Sequence, residues 1–119
     1  MLPRQYRLKK RSAFNATYKT GKCIHAKGLT IFCGKEKKDQ SPTKIGIVVS
    51  KKIHKRAVKR NRIKRLLRES LRLIIKDSSL IQECKYMSVI VLASSMLLEK
   101  NFSDVDFIVK NALRKLQND

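Results

Sequence analysis

Ile45–Arg72 reads IGIVVSKKIHKRAVKRNRIKRLLRESLR, and two periodicities meet in it. Ile45–Ser50 is a short β-branched run, which predicts a buried strand, central in its sheet. Lys51–Arg56 joins that strand to a helix predicted from Ala57 to Lys76. At about 100° per residue, Ile63, Leu66, Leu67, Ser70, Leu71 and Ile74 share one side of this helix. Asn61, Lys64, Arg65, Arg68 and Arg72 share the other, with Arg60 at the boundary and Arg62 beyond the far edge. One side suits a core, and the other is a row of cations.

Lys51–Arg72 holds eleven Lys or Arg and a single acid, Glu69, so it carries +10 of the chain's formal +20. A solvated helix face normally mixes signs, and this one does not. Like charges at i,i+4, as in Arg60–Lys64–Arg68, oppose helix formation unless anions lie between them. A folded cationic face of this density implies a polyanion, most commonly nucleic acid. Arginine suits phosphate because its planar fork binds bidentately and stacks on bases. Asn61 suits a sugar hydroxyl, a base edge or a metal-bound water, or else a hydrogen bond near the helix start.

The charge is asymmetric along the 119 residues. Residues 1–72 hold 23 basic and three acidic residues, whereas residues 73–119 hold six of each. The later part therefore reads as scaffold, in a length that fits one domain, 1–119. Residues 1–11 read as a flexible, extended basic segment. Ser12 is the expected N-cap of a short helix through Thr20, with Gly21 as its stop and Phe14 and Tyr18 on one face. Cys23–Cys33 is strand-like, and Gly34–Thr43 has the composition of a hairpin loop. Asp77–Glu83 reads as a polar connection, Tyr86–Ala93 as a second buried strand and Ser94–Asn101 as a loop. Ser103 and Asp106 have capping-box spacing before a last helix with Val105, Ile108, Val109, Ala112, Leu113 and Leu116 as its apolar stripe. The order α-β-β-α-β-α gains a strand if the Lys22–Gly34 region bends. It implies an α+β two-layer sandwich, a small mixed sheet of about four strands packed by helices.

Several functions are disfavoured. Cys23, Cys33 and Cys84 form no CxxC pair, and three separate thiols fit small buried hydrophobes in a reducing cytosol. Val89–Leu98 is too short to span a membrane, and the charged N-terminus has no following apolar segment. Lipid is a weaker partner than nucleic acid, because the stripe of the basic helix lacks Trp and Phe. The nine acids are dispersed, His25 and His54 stand apart, and no phosphate-cradling glycine loop exists, so the protein alone is expected to be inert. A helix-in-groove DNA binder would need a helix, not a strand, before its recognition helix.

Ser50-Lys51-Lys52, then a short loop, then Arg60-Asn61-Arg62, Lys64-Arg65 and Arg68-Glu69 follow the order and spacing of a known signature. On these residues the chain resembles the protein subunit of bacterial ribonuclease P. The likeness extends to Phe14, Tyr18 and Gly21, to Phe32 and to the Tyr86–Ala93 strand. It implies a left-handed βαβ crossover, which sequence alone would not suggest. It also implies a non-catalytic subunit of a ribonucleoprotein endoribonuclease whose RNA, with Mg²⁺, removes the 5′ leader of precursor tRNA. Carried over, Arg56, Lys59, Arg60, Asn61, Arg62, Lys64, Arg65 and Arg68 would bind the catalytic RNA. Phe14, Tyr18, Phe32, Ser50, Lys51 and Lys52 would line or border a cleft for the leader. The chain departs from the family in the loop Ile53–Ala57, which lacks the usual glycine, and at Ser88 and Ser94, where the late strand usually has Asp and Arg. A structural RNA-binding protein, such as a small ribosomal protein, is the alternative that charge and size equally allow.

Overall fold

The computed structural model describes residues 2–39, 41–77 and 80–117. Three α-helices and a four-stranded sheet are present: α1 Arg11–Lys19, β1 Cys23–Ala26, β2 Leu29–Cys33, β3 Lys44–Val48, α2 Ala57–Asp77, β4 Ser88–Ala93 and α3 Phe102–Gln117. The sheet order is β1-β2-β4-β3, with β3 parallel to β4 and the other pairs antiparallel. The mixed α+β architecture matches the sequence reading, and α2 is the crossover between the two parallel strands.

Two expectations are corrected by this order, and the bend allowed for in the Lys22–Gly34 region is present. β3 lies at an edge and not at the centre; the interior strands are β2 and β4, and Val89, Ile90 and Val91 of β4 are all buried. The Gly34–Thr43 segment is no hairpin loop, since β4 lies between the strands it joins. Its first part runs beside the residues before β4, with Lys37 N–H bonded to Lys85 O and Met87 N–H to Lys35 O. Cys23–Cys33 is a hairpin in itself: Gly28 turns it at φ 90°, a conformation an L side chain resists. Gln40, in the first of these loops, and Ser78 and Ser79, in the Asp77–Glu83 connection, fall outside the described residues, as does Met1.

The basic N-terminal segment is likewise not loose. Leu2 is buried, Arg4–Tyr6 forms a short 3-10 turn, and Leu8 N–H bonds Ile45 O at 3.0 Å. The segment thereby covers the outer edge of β3, whose backbone groups would otherwise be open to pairing.

Alternation along the strands sorts the two faces of the sheet. Ile24, Leu29, Ile31, Cys33, Ile45, Val89, Val91 and Ala93 face α2 and α3 and form the core with Ile63, Leu67, Leu71, Ile74, Val105, Val109 and Leu113. Ser70 Oγ donates to Asp106 Oδ1 at 2.8 Å across α2 and α3, and Lys110 pairs with the same carboxylate. Asp106 is thus a helix–helix link and not half of a capping box. Asn101 caps α3 by accepting from Asp104 N–H, in place of Ser103. At α1 the cap position is Lys10, not Ser12, and it makes no side-chain bond.

The opposite face is only partly covered. α1 lies over one end of it, where Thr17 Oγ1 meets Ser88 Oγ at 2.6 Å and Thr20 Oγ1 donates to Cys33 O. Phe14 fits directly on Gly46, where an added Cβ would sit 2.6 Å from the ring. We therefore expect Gly46→Ala to destabilise the fold by about 1–3 kcal/mol, read as a lower urea midpoint. Combined with Phe14→Ala it should cost less than the two separate losses together, because the clash has been removed. A second expectation concerns acid. Burial of the Asp106 carboxyl works against ionisation, but hydrogen bonds from Lys110 and Ser70 prevail and hold its pKa below the ordinary value. Its contribution is present above the unfolded pKa and is lost as pH falls through the lower folded one. Asp106→Asn should therefore flatten the loss of stability below about pH 4, measured by thermal melts across pH.

Candidate nucleic-acid interface

α2 is held by its apolar stripe, with Ile63, Leu67, Leu71 and Ile74 buried. This orientation leaves Arg56, Lys59, Asn61, Arg65 and Arg68 exposed and Lys64 half-buried. No acid occupies the first turn, so Lys59 and Arg60 oppose the positive end of the helix dipole. Further along, Arg72 is paired with Glu69, whose hydrogen bond raises the arginine's pKa and lowers the glutamate's. That pair leaves Arg65 and Arg68 as the uncompensated arginines of the middle turns.

Arg60 and Arg62 are oriented differently from their neighbours. Arg60 Nη1 donates to His54 O and Lys55 O at 2.8 and 3.0 Å, and so closes the loop before the helix. Arg62 donates through Nη2 to Lys100 O at 2.8 Å and through Nη1 to Leu98 O at 3.4 Å. It ties α2 to the end of a 3-10 helix, Ser95–Glu99. Both guanidiniums thus fix local backbone, while Asn61 projects between them. In the loop that departs from the family pattern, His54 Nδ1 accepts from Arg56 N–H and no glycine is required. Ser50 Oγ accepts from Lys52 N–H in a tight turn that leaves Lys51 and Lys52 exposed.

The partly open face of the sheet carries the aromatic residues. Tyr18, 39% exposed, meets Phe32 edge to face with ring centroids 4.9 Å apart. Phe32 lies opposite Ile90, which is opposite Gly46 under Phe14. The next row, Thr30, Leu92 and Val48, is half-buried. The structure therefore brings Phe14, Tyr18 and Phe32 together on one surface, with the Ser50–Lys52 turn following the β3 edge.

A groove of about 780 Å³ runs around the outer edge of β3. Phe14 and Gly46 line one side, Arg62, Arg65 and Arg68 the other, and Arg7 and Lys9 its N-terminal wall. It joins the aromatic surface to the cationic helix. Sequence reasoning did not reach Arg7 and Lys9. The available signal was the presence of Leu2, Tyr6 and Leu8 among the basic residues, apolar side chains that an unattached segment would leave in water. Ser88 and Ser94 also have local roles, the first bonded to Thr17 and the second capping the 3-10 helix through Met96 N–H.

Among the described residues, no group of three or more His, Cys, Asp or Glu is placed so that it could hold a metal ion. Among the same residues, Cys23 and Cys84 are free thiols, and no helix is long and apolar enough to cross a membrane.

The ribonuclease P family model matches residues 2–117. The chain belongs to the ribonuclease P protein family. The ribonuclease P protein component of Clostridioides difficile is 37% identical over 108 residues, covering 91% of this chain and 89% of the relative. That of Clostridium kluyveri is 34% identical over 110 residues, covering 92% and 93%. The solved ribonuclease P protein of Staphylococcus aureus superposes with a TM-score of 0.74 at 26% identity, over 92% of this chain and 94% of that one. The chain is thus a protein subunit of the ribonucleoprotein enzyme ribonuclease P, which processes tRNA, and its holoenzyme partner is the ribonuclease P RNA. The ribosomal-protein alternative has no support among these relatives.

The two kinds of arginine on α2 separate experimentally. Without RNA, Arg62→Ala should cost about 1–2 kcal/mol by releasing two backbone carbonyls. Arg65→Ala should stay within about 0.5 kcal/mol of the parent. Thermal denaturation of the free proteins measures both.

Proposed function

We propose that this subunit grips the ribonuclease P RNA with the exposed side of α2 and holds the single-stranded 5′ leader of precursor tRNA on the aromatic side of the sheet. The RNA subunit performs the cleavage, with Mg²⁺ bound mainly by RNA and substrate. The protein works in the cytoplasm as one RNA-binding domain.

The observation that carries this reading is the groove around β3, which connects Phe14 to Arg65 and Arg68. Single strands are held by aromatic platforms inside a cationic channel, since every base has a π-face and every linkage a phosphate. Tyr18 and Phe32 supply the platform. Arg7, Lys9, Lys51 and Lys52 supply charge at its borders. Arg56, Lys59, Asn61, Lys64, Arg65 and Arg68 supply the donors for the catalytic RNA, and Arg60 and Arg62 hold the backbone on which those donors stand. Holding leader and catalytic RNA on adjoining surfaces brings the scissile linkage to the RNA active site and spares the RNA the entropy of finding it.

Reconstitution tests this directly. Purified protein added to ribonuclease P RNA and precursor tRNA at low Mg²⁺ should accelerate leader release. Absence of any acceleration over RNA alone would defeat the reading. In the same system Arg65→Ala should weaken binding of the catalytic RNA and flatten its salt dependence by about one unit of slope. Phe14→Ala should weaken leader-bearing tRNA more than mature tRNA. An equal effect on both would return Phe14 to a packing role only.

A further inference from the structure

A second groove, of about 590 Å³, lies on the other side of the molecule, between α3 and the β1–β2 turn. Along α3 the residues Asp104, Phe107, Ile108, Asn111 and Arg114 line it, at the i, i+3, i+4, i+7 spacing of a single helix face. The core-facing side of α3 is taken by Val105, Val109, Ala112, Leu113 and Leu116, and Ile108 is partly buried against that core, whereas Phe107, Asn111 and Arg114 stand outside it. Phe107 is 65% exposed, and Met96, which shares the groove, is 45% exposed. Lys27, Lys100 and Arg114 surround them, and none has a side-chain partner among the described residues. Lys115 anchors the floor by donating to His25 O at 2.9 Å. Asp104 is the one acid lining the groove, at the N-terminal end of α3.

We propose that this groove binds an unpaired segment of the ribonuclease P RNA, with Phe107 as the stacking platform. The inference rests on the reading of the chain as a ribonucleoprotein subunit and extends it to a surface with no assigned role. Three observations favour this occupant. An exposed aromatic ringed by cations suits single-stranded RNA. Asn111 and Arg114, one and two turns beyond Phe107, add an amide for a base edge and a fork for phosphate. Arg62 ties α2 to Lys100 O, and Lys100 borders the groove, so the surface continues from the cationic helix. A second copy of the chain is a poor occupant, because each carries a formal net charge of +20. The leader is a poor one as well, because α3 packs on the face of the sheet opposite Tyr18 and Phe32.

The test compares Phe107→Ala and Arg114→Ala with the parent, all as full chains, binding ribonuclease P RNA across a salt series. Phe107→Ala should weaken affinity about five- to a hundredfold, with an unchanged melting temperature for the free protein. Arg114→Ala should make the salt slope shallower by about one unit. Neither should alter the preference for leader-bearing over mature tRNA. Unchanged affinity and slope for both variants, while Arg65→Ala still weakens binding, would overturn the α3 site alone. If Arg65→Ala is silent too, it is the broader reading that fails. A loss confined to precursor tRNA would move the site to the substrate and overturn the proposal. So would an RNA-independent dimer in sedimentation that Phe107→Ala abolishes.

Discussion

Burial of one stripe of α2 against the sheet orients everything that follows from this chain's charge. Ile63, Leu67, Leu71 and Ile74 are essentially inaccessible. At about 1.5–3 kcal/mol for each such side chain, the stripe outweighs the i,i+4 repulsion of Arg60, Lys64 and Arg68, which is about 0.2–0.5 kcal/mol for each pair. Apolar contact therefore decides which way the helix is turned, and the cations follow. A helix free to roll would spread its charge in all directions. This one cannot roll, so Arg65 and Arg68 have a fixed heading. Ser70 reinforces it by bonding Asp106 of α3 inside an otherwise apolar contact.

Two arginines that flank one asparagine show how a motif divides its labour. Arg60 closes the loop that leads into α2, and Arg62 reaches the carbonyls at the end of the 3-10 helix. Each bond is modest in energy, yet between them they fix the backbone on both sides of Asn61. A side chain that must read a sugar or a base edge gains from such preorganisation, because less freedom is lost when it binds.

Helix extents and apolar stripes were legible because they are local: α2 begins at Ala57 as its pattern predicts, and the stripes of α2 and α3 are the buried ones. The neighbours of each strand were not legible. A β-branched run such as Ile45–Ser50 reads as central because both of its faces are apolar. Here Phe14 covers Gly46 and the N-terminal segment covers the edge, so burial arises without a second flanking strand. The same limit applies to the site. A helical wheel gives the direction of a Cβ, which was enough for Arg65 and Arg68. It does not say where a long guanidinium ends, and Arg60 and Arg62 end on carbonyls supplied by other segments. Asn101 took the cap that Ser103 was expected to provide because the helix starts at Phe102, just ahead of that serine.

The interior place of β4 has a consequence for synthesis on the ribosome. β2 and β3 share it as their common neighbour, and it comes last of the four strands, at Ser88–Ala93. Until that segment emerges, β1 and β2 have each other, but β3 has no strand to join and Leu8 no seated edge to meet. Contacts between residues far apart in sequence form slowly, since the loop must close before it is rewarded. The nascent chain thus carries a formal net charge of +20, all of it in residues 1–72, before its sheet can assemble. Its most cationic stretch leaves the tunnel, beside ribosomal RNA, well before the fold that will aim it.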